Sequence, residues 1–485
     1  MKIHNLTNVK SLFLDNITIK QTIFKNTFWL GLGSGLGKLL TLILTIYFAR
    51  IFGATEYGKF TFALAFISLF LVFSDLGLSG IVIREFSREK EKEKEFYSVL
   101  SLKILLNLVT IVLILIGSFF ITPDLVVRKV ILILGFYILI SGFSTIIYDF
   151  FKARQRMEYQ ALGTILEAVL VTIFGFFIIF NFPSIENLSY GYLSGGLITL
   201  AFVLFLFHFK IFPLKIFWEK NVWKKFLSMS WPLALTSLYG SLYFNINSAI
   251  MGHFGQIIQT GWYNAAYKIA SAVLTLIAFI SIAFFPALSK YFQESKEKFQ
   301  SIWNYELNVI VLLAFPLVAG GITLAPNIIN FVYGQGFSPS ILAFKILIAA
   351  IGIIFLFIPF KDILIVANRQ VKIFLVILFG LIVNIILNSV LIPKYSLYGA
   401  VAGTLITYFL VLVISICLIK NIIDLPFFNR QFLKVILVSL FCSALMVFVI
   451  SRPIISQLNV LLMALLGAGV YFMSLLLLNK KVKII

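Results

Sequence analysis

Residues 27–48 read TFWLGLGSGLGKLLTLILTIYF, an apolar run that carries a single charge, on Lys38. A helix of about 20 predominantly apolar residues is long enough to cross the hydrocarbon core of a bilayer. The whole chain has the same character, because 61% of its 485 residues are hydrophobic and only 12% are charged. Soluble domains contain roughly 45–50% apolar and about 25% charged residues. The composition therefore excludes a soluble enzyme or a secreted scaffold and predicts an all-α polytopic membrane protein.

Apolar runs of spanning length recur along the chain and predict 14 transmembrane helices. The runs lie near 27–48, 60–80, 99–121, 130–148, 161–181, 188–209, 228–252, 266–288, 303–325, 341–360, 371–392, 398–420, 431–450 and 458–479. The loops between them are short, so we expect no extramembrane domain.

Two groups of six spans resemble each other. The first span is followed by Ala49-Arg50-Ile51-Phe52-Gly53, and the seventh ends in Met251-Gly252-His253-Phe254-Gly255. Six spans separate these units, so both cross in the same direction, which implies a pseudo-two-fold axis along the membrane normal with a cavity between the bundles. We predict a cytoplasmic amphipathic segment at 1–26, six-helix lobes at 27–209 and 228–420, a cytoplasmic linker at 210–227, and helices 13 and 14 at 431–479.

The net charge of +20 reflects membrane topology. Most of the 39 Lys and Arg residues fall in alternate loops, and an excess of Lys and Arg marks the cytoplasmic side of a membrane protein. Both termini are therefore expected in the cytoplasm. We expect the protein to contact membrane lipids and to bind no nucleic acid. The two Cys and three His residues form no ligand cluster, so we expect no disulfide, metal site or cofactor.

Lys38 is the strongest candidate for a functional residue, because a charge at mid-span costs roughly 2.5–3.5 kcal/mol even on a lenient insertion scale. It shares a helical face with small and hydroxyl residues, namely Gly31, Ser34, Thr41 and Thr45. Such a face is expected to line a wet cavity or to meet another helix. The alternative for Lys38 is a structural ion pair with Glu167 or Asp75.

Glycines on the same span predict close helix packing. Gly31/Gly35 and Gly33/Gly37 are spaced four residues apart, which lets two membrane helices approach closely. The run lacks the Walker spacing and a preceding strand, so a phosphate-binding loop is not indicated.

Other cations near the ends of predicted spans could line a positive path across the membrane. The further candidates for substrate binding are Arg50, Arg84 and Lys268, with Asn247 in a polar stripe of the seventh span. Taken singly, each cation is also typical of an interfacial side chain that reaches toward headgroups. The acids at membrane depth either couple transport to H+ or Na+ or pair with Lys and Arg; they are Asp75, Glu167 and Asp362.

Several short motifs follow one another in a definite order along spans 1 to 12. They are ARIFGATEYGKF at 49–60, Asp75-Leu76-Gly77-Leu78, Arg84, YGQGF at 333–337, ANRQ at 367–370, Asn388, LIPKY at 391–395 and Gly399-Ala400. Their order and spacing resemble those of Wzx-type oligosaccharide flippases, which belong to the multidrug/oligosaccharidyl-lipid/polysaccharide (MOP) exporter superfamily. Two positions depart from this resemblance. Asn247 stands where many relatives carry an acid, which weakens a coupling role there, and Ser396 replaces a common glycine.

The resemblance implies a two-lobed carrier, and not an enzyme, in the cell (inner) membrane. Such a carrier flips a polyprenyl-pyrophosphate-linked oligosaccharide from the cytoplasmic to the outer leaflet by alternating access. The oligosaccharide would be an O-antigen, capsule or exopolysaccharide repeat unit, and polysaccharide polymerase machinery would be a further partner. Cationic and hydroxyl side chains suit an anionic pyrophosphate and its glycan. A lipid II flippase is the nearest alternative, and a cation-coupled multidrug exporter is a weaker one.

Overall fold

The structure is a computed structural model, and it describes residues 13–88, 93–213, 215, 217–420, 430–456 and 458–482. Within these ranges all regular secondary structure is helical, as the sequence predicts. Residues 1–12 of the predicted N-terminal segment lie outside the described residues. The helices are α1 (Ile19–Asp75), α2 (Leu78–Arg88), α3 (Glu93–Ile121), α4 (Leu125–Ala153), α5 (Met157–Asn181), α6 (Ile185–Lys210), α7 (Lys220–His253), α8 (Ile257–Ala272), α9 (Leu274–Glu294), α10 (Lys296–Tyr333), α11 (Ser340–Val366), α12 (Gln370–Lys420), α13 (Arg430–Ile450), α14 (Pro453–Ser456) and α15 (Val460–Val482), with a 3-10 turn at Gln335–Phe337.

Ten helical segments in the described part of the chain are long and apolar enough to cross a membrane. All predicted spans coincide wholly or largely with these segments except 228–252 and 266–288. The first exception lies in α7, which carries many polar side chains, and the second is broken at Val273, where α8 ends and α9 begins. The protein is therefore a multi-pass membrane protein, and the count of 14 spans stays a prediction.

Two of the helices are long enough for more than one crossing. The 57 residues of α1 and the 51 residues of α12 would each extend well beyond 70 Å at about 1.5 Å per residue, against a hydrocarbon core of about 30 Å. Each is broken by one residue with non-helical backbone angles, Gly53 in α1 (φ 76°) and Ser396 in α12 (φ 53°). Both breaks lie between predicted spans. A positive φ suits Gly53, which lacks Cβ, and strains Ser396.

The chain forms two compact units, Met1–Gly255 and Gln256–Ile485. The first unit includes α7, which the sequence-based lobe boundary at 210–227 assigns to the second lobe. Its packing is close: a Cβ atom built on Gly77 would lie 2.5 Å from the carbonyl oxygen of Ser230 in α7. Ser241 of α7 also donates a hydrogen bond to the carbonyl oxygen of Ser68 in α1. The pseudo-symmetric lobe arrangement stays a prediction.

An aromatic cluster holds the first unit together where α2, α3, α4, α6 and α7 meet. Phe96 of α3 lies with its ring centroid 4.3 Å from that of Phe150 in α4 and 5.3 Å from that of Phe207 in α6. Phe86 of α2 contacts both Phe96 and Phe226 of α7. These rings are fully buried. Aromatic pairs at such distances add about 0.5–1.5 kcal/mol each to the free energy gained by burial.

The second unit packs around α10. Trp303 of α10 donates a hydrogen bond of 3.3 Å to the carbonyl oxygen of Pro359 in α11, and its ring meets Phe360 edge-on. On another side, Tyr471 of α15 donates a 2.7 Å hydrogen bond to the carbonyl oxygen of Leu312. The C-terminal helices α13 and α15 are thus attached to the second unit through α10.

Candidate functional site

The glycine-rich part of α1 has one packed face and one open face. A Cβ atom built on Gly33 would lie 3.0 Å from Cα of Ala161 in α5, and one on Gly37 would lie 3.4 Å from the Thr164 side chain. Gly31 and Gly35 have nothing within 4 Å of the same position. The expected close packing therefore involves one of the two glycine pairs, and the other pair lies on the open face.

Lys38 lies on the exposed part of α1, about midway between Ile19 and the break at Gly53. Ser34, one turn earlier, is exposed as well. No described residue forms a hydrogen bond or an ion pair with Lys38. Thr41 and Thr45 of the predicted stripe donate their hydroxyl protons to carbonyl oxygens one turn back in α1. The open end of the stripe thus holds a free ammonium group, glycine backbone and a hydroxyl.

The two acids that could have paired with Lys38 are engaged elsewhere. Asp75 lies 3.4 Å from the ammonium of Lys103 and accepts a 2.9 Å hydrogen bond from Ser79. Glu167 accepts a 2.9 Å hydrogen bond from Ser141 in α4. Neither carboxylate neutralises Lys38 in this structure.

Asp75 belongs to a polar cluster at the break between α1 and α2. Lys103 of α3 is 2% exposed and donates a 2.8 Å hydrogen bond to the carbonyl oxygen of Ser74, in the last turn of α1. In α4, Lys152 pairs with the buried Asp149 at 2.8 Å. Leu76 and Gly77 between the helices both have positive φ angles. The cluster fixes a sharp turn of the backbone beside α7.

The other candidates of the first unit are spread over different helices. Arg50 is exposed in α1, three residues before the break at Gly53. Arg84 of α2 lies 3.1 Å from Glu85 and 3.3 Å from the sulfur of Met229 in α7. Asn247 is buried in α7. The structure thus places these candidates on α1, α2 and α7, and their joint role with Lys38 stays a prediction.

The second unit holds the two remaining candidates. Lys268 lies half-buried in α8. Asp362 of α11 is 1% exposed, pairs with Lys361 at 3.1 Å and accepts a hydrogen bond from Ser281 of α9. Sequence reasoning missed Glu306, a buried acid of α10 that interacts electrostatically with Asp362. A carboxylate three residues inside the predicted span 303–325 was the signal that could have found it.

An apolar cavity of about 600 Å3 also lies in the second unit. Side chains of α10, α11, α13 and α15 line it, and they include Leu313, Leu324, Ile348, Met446 and Met463. Its lining contains no charged residue, so the cavity does not suit a pyrophosphate or a sugar. No three His, Cys, Asp or Glu residues come together as a metal site in the described ranges.

Residues 23–292 match the model of the family described as polysaccharide biosynthesis protein. The chain belongs to this family. It is 21% identical over 401 residues to the probable low-salt glycan biosynthesis flippase Agl15 of Haloferax volcanii, over 79% of this chain and 81% of the relative. It is 24% identical over 331 residues to the lipopolysaccharide biosynthesis protein WzxC of Escherichia coli K12, over 66% and 64% of the two chains. The resemblance to Wzx-type flippases is confirmed.

Solved structures show the same fold. The lipid II flippase MurJ in its inward closed conformation superposes with a TM-score of 0.73 and 17% identity, over 93% of this chain and 98% of that chain. An inward-facing multidrug resistance MATE family transporter of the MOP superfamily superposes with a TM-score of 0.65 and 14% identity, over 79% and 94%. This polysaccharide biosynthesis family member thus shares its fold with these two membrane proteins.

Proposed function

We propose that this family member moves a polyprenyl-pyrophosphate-linked oligosaccharide from the cytoplasmic to the outer leaflet of the cell membrane by alternating access. The observation that carries the proposal is Lys38, a cation on the open face of α1 that no described residue neutralises. Relatives with names that refer to glycan, capsular polysaccharide and lipopolysaccharide biosynthesis support the same substrate class.

The chemistry of Lys38 matches the part of the substrate that is hardest to move. A pyrophosphate carries negative charge and strong hydrogen-bond acceptors, and it loses water when it enters the membrane. A lysine ammonium offers three donors and a full charge, and charge-assisted hydrogen bonds are about twice as strong as neutral ones. The same contact offsets the cost of roughly 2.5–3.5 kcal/mol for a lysine at mid-span. The Lys38 ammonium and the pyrophosphate therefore each lower the free-energy cost of placing the other within the membrane.

The surroundings of Lys38 leave room for such a headgroup. Gly31 and Gly35 present backbone without side chains on this face, and Ser34 adds a hydroxyl group one turn from Lys38. A sugar close to the pyrophosphate can approach the α1 backbone there without displacing a side chain. The lipid tail is apolar and can remain in the bilayer while the headgroup crosses.

Lys38 alone does not separate an oligosaccharide from lipid II, because both substrates carry a polyprenyl pyrophosphate. The likeness to the lipid II flippase concerns the fold, whereas the relatives named for glycan and polysaccharide biosynthesis favour an oligosaccharide repeat unit. A cationic drug would be repelled by an unneutralised lysine, which argues against a multidrug exporter. We propose in addition that the protein lies in the inner membrane with both termini in the cytoplasm. The flipped repeat unit would then pass to polysaccharide polymerase machinery.

Deletion of the gene in its native cell tests this function. We expect loss of surface polysaccharide and accumulation of the polyprenyl-linked repeat unit on the cytoplasmic leaflet, where enzymes added from outside cannot reach it. Wild-type and Lys20→Ala genes should restore export, because Lys20 is an exposed residue at the start of the same helix. The Lys38→Ala gene should not restore it, although the variant reaches the membrane in equal amount. Normal surface polysaccharide in the deletion strain would refute the proposal.

A further inference from the structure

Glu306 of α10 is a buried acid that takes no part in the pyrophosphate contact proposed for Lys38. The residue is 0% exposed, and no donor in the described part of the chain forms a hydrogen bond with either of its carboxylate oxygens. An ionised carboxylate in an apolar interior without compensating donors is very costly. Glu306 in this environment therefore favours the neutral, protonated form.

Asp362 of α11 is its acidic neighbour and has a different environment. It is 1% exposed, lies 3.1 Å from the ammonium of Lys361, and accepts a hydrogen bond from the hydroxyl of Ser281. A cation and a donor both stabilise the charged form of a carboxylate. Asp362 acts electrostatically on Glu306, so a negative charge on Asp362 opposes a second one on Glu306.

The charges of this group balance with one added proton. Asp362 and Lys361 neutralise each other, and Glu306 needs a proton to avoid an uncompensated charge. Two adjacent carboxyl groups in a shared site characteristically hold one proton between them, because both cannot ionise at low cost. The different partners of the two groups assign that proton to Glu306.

A proton suits this site better than a metal ion does. The ammonium of Lys361 already occupies one side of Asp362 and would repel a second cation. Hard cations such as Ca2+ take roughly six to eight oxygen ligands, and the described residues bring together no group of three acids, His or Cys.

We propose that Glu306 and Asp362 form a proton-binding site, and that Glu306 takes up and releases its proton during the transport cycle. On release, the proton passes from the Glu306 carboxyl group to water and leaves two neighbouring carboxylates. In the predicted topology, Glu306 lies near the start of span 9 and Asp362 follows span 10, so both lie near the cytoplasmic ends of these spans. The inference rests on the proposed transport function for its role, while the proton site itself does not.

Loss of the proton would act on the contact between α10 and α11. One turn before Glu306, Trp303 donates its hydrogen bond to the carbonyl oxygen of Pro359, and one turn after Pro359 lies Asp362. Like charges on Glu306 and Asp362 repel each other across this contact and weaken it. Proton occupancy is thereby linked to how tightly α10 packs on α11.

In the part of the chain that the structure describes, few other charges face this site. Lys361 is the cation that acts on Glu306 together with Asp362, and both lie on α11. From α9, the neutral hydroxyl of Ser281 donates a hydrogen bond to Asp362. The charged residues of α13, Arg430 and Lys434, are exposed, as are those in the first turn of α10.

Infrared difference spectroscopy of the purified full-length protein tests the proton directly. We expect a carbonyl-stretch band of a protonated carboxylic acid that disappears as the pH is raised. Glu306→Gln should abolish this band, and Asp362→Asn should move its titration to lower pH, because it removes the neighbouring negative charge and leaves the cation of Lys361. The matched control Glu297→Gln, an exposed acid of the same helix, should leave the band unchanged. A band that persists at all pH values, or that Glu306→Gln retains, would overturn the proposal. A band that sodium ions remove at constant pH would also overturn it, because a metal cation would then occupy the site.

Proteoliposomes that contain a polyprenyl-linked oligosaccharide test the coupling. Flipping by the wild-type protein should accelerate several-fold under a pH gradient of one direction, and the same gradient should have no effect on Glu306→Gln. Glu297→Gln should respond as the wild type does. Equal acceleration of the Glu306→Gln variant would contradict the role in transport. If the wild type flips no substrate but the infrared band still titrates, the transport function fails while the proton site stands.

Discussion

The ammonium of Lys103 lies 3.4 Å from Oδ1 of Asp75 and donates a 2.8 Å hydrogen bond to the carbonyl oxygen of Ser74. Carbonyl groups in the last turn of a helix lack intrahelical partners and attract cations. Lys103 therefore closes the end of α1 and engages Asp75 at the same time. Lys38, the other lysine within a predicted span of the first lobe, has no such partner among the described residues. Lys103 accordingly has a role in the fold, whereas substrate binding is the role that we propose for Lys38.

Removal of the Lys103 ammonium should destabilise the first unit. Lys103→Met leaves the carboxylate of Asp75 without its cation, and breaking a buried ion pair costs about 3–5 kcal/mol. Because Asp75 is 27% exposed, we expect a loss of about 1–3 kcal/mol. Thermal unfolding in detergent measures this loss. The double variant Lys103→Met/Asp75→Asn should recover part of the stability, and a loss equal to the sum of the single changes would show that the two residues do not interact.

The two faces of the glycine-rich helix should respond differently to the same change. Gly33→Ala places a methyl group 3.0 Å from Cα of Ala161, and overpacking of this kind costs about 1–3 kcal/mol. Gly35→Ala meets no atom within 4 Å and should not lower the unfolding temperature. Equal unfolding temperatures for the two variants would contradict the packing of α1 on α5.

The segment before α1 is attached by a buried ion pair. Lys25 is 0% exposed, lies 3.2 Å from Glu158 in α5, and donates a 2.6 Å hydrogen bond to Asn16. Lys25→Met should release residues 13–18 and make them sensitive to added protease, whereas Lys20→Met, at an exposed position, should not. Proteolysis followed by mass spectrometry detects the difference. Continued protection of the segment in Lys25→Met would show that the ion pair is dispensable.

Ser396 should be a site where glycine stabilises the protein. Its φ of 53° and ψ of −129° lie in a region that side chains disfavour by about 1–3 kcal/mol, and its buried hydroxyl has no partner among the described residues. Ser396→Gly should therefore raise the unfolding temperature. Ser338→Gly is the control, because Ser338 has a φ of −51° and its hydroxyl donates to the carbonyl oxygen of Gln335. A Ser396→Gly variant less stable than the wild type would contradict the strain.

Local sequence predicts much of this fold. Apolar runs locate most of the membrane helices, and the break at Gly53 falls between two predicted spans. Glycine spacing identifies two pairs on α1, but it cannot tell which pair packs, since the contacting residue, Ala161, belongs to a distant helix. The predicted span 266–288 is divided at Val273 into α8 and α9, and hydropathy does not report an interruption of one residue within an apolar run.

Charged partners that are far apart in the chain are harder to predict. Lys25 and Glu158 form an ion pair across 133 positions, and nothing in either local sequence points to the other. Glu306 lies near the start of an apolar run, where its sequence context resembles that of an ordinary interfacial acid. Only the packing of α10 against α11 shows that it is buried beside Asp362.

Flipping of a polyprenyl-pyrophosphate-linked oligosaccharide by purified protein in liposomes tests the central claim most directly. The fraction of substrate that an enzyme added outside can reach measures movement between the leaflets. Wild-type protein and Lys20→Ala should expose the inner-leaflet substrate over time, Lys38→Arg should retain partial activity, and Lys38→Ala should reduce the rate at least tenfold at an unchanged unfolding temperature. A Lys38→Ala rate equal to that of the wild type would contradict the assignment of Lys38 to the pyrophosphate.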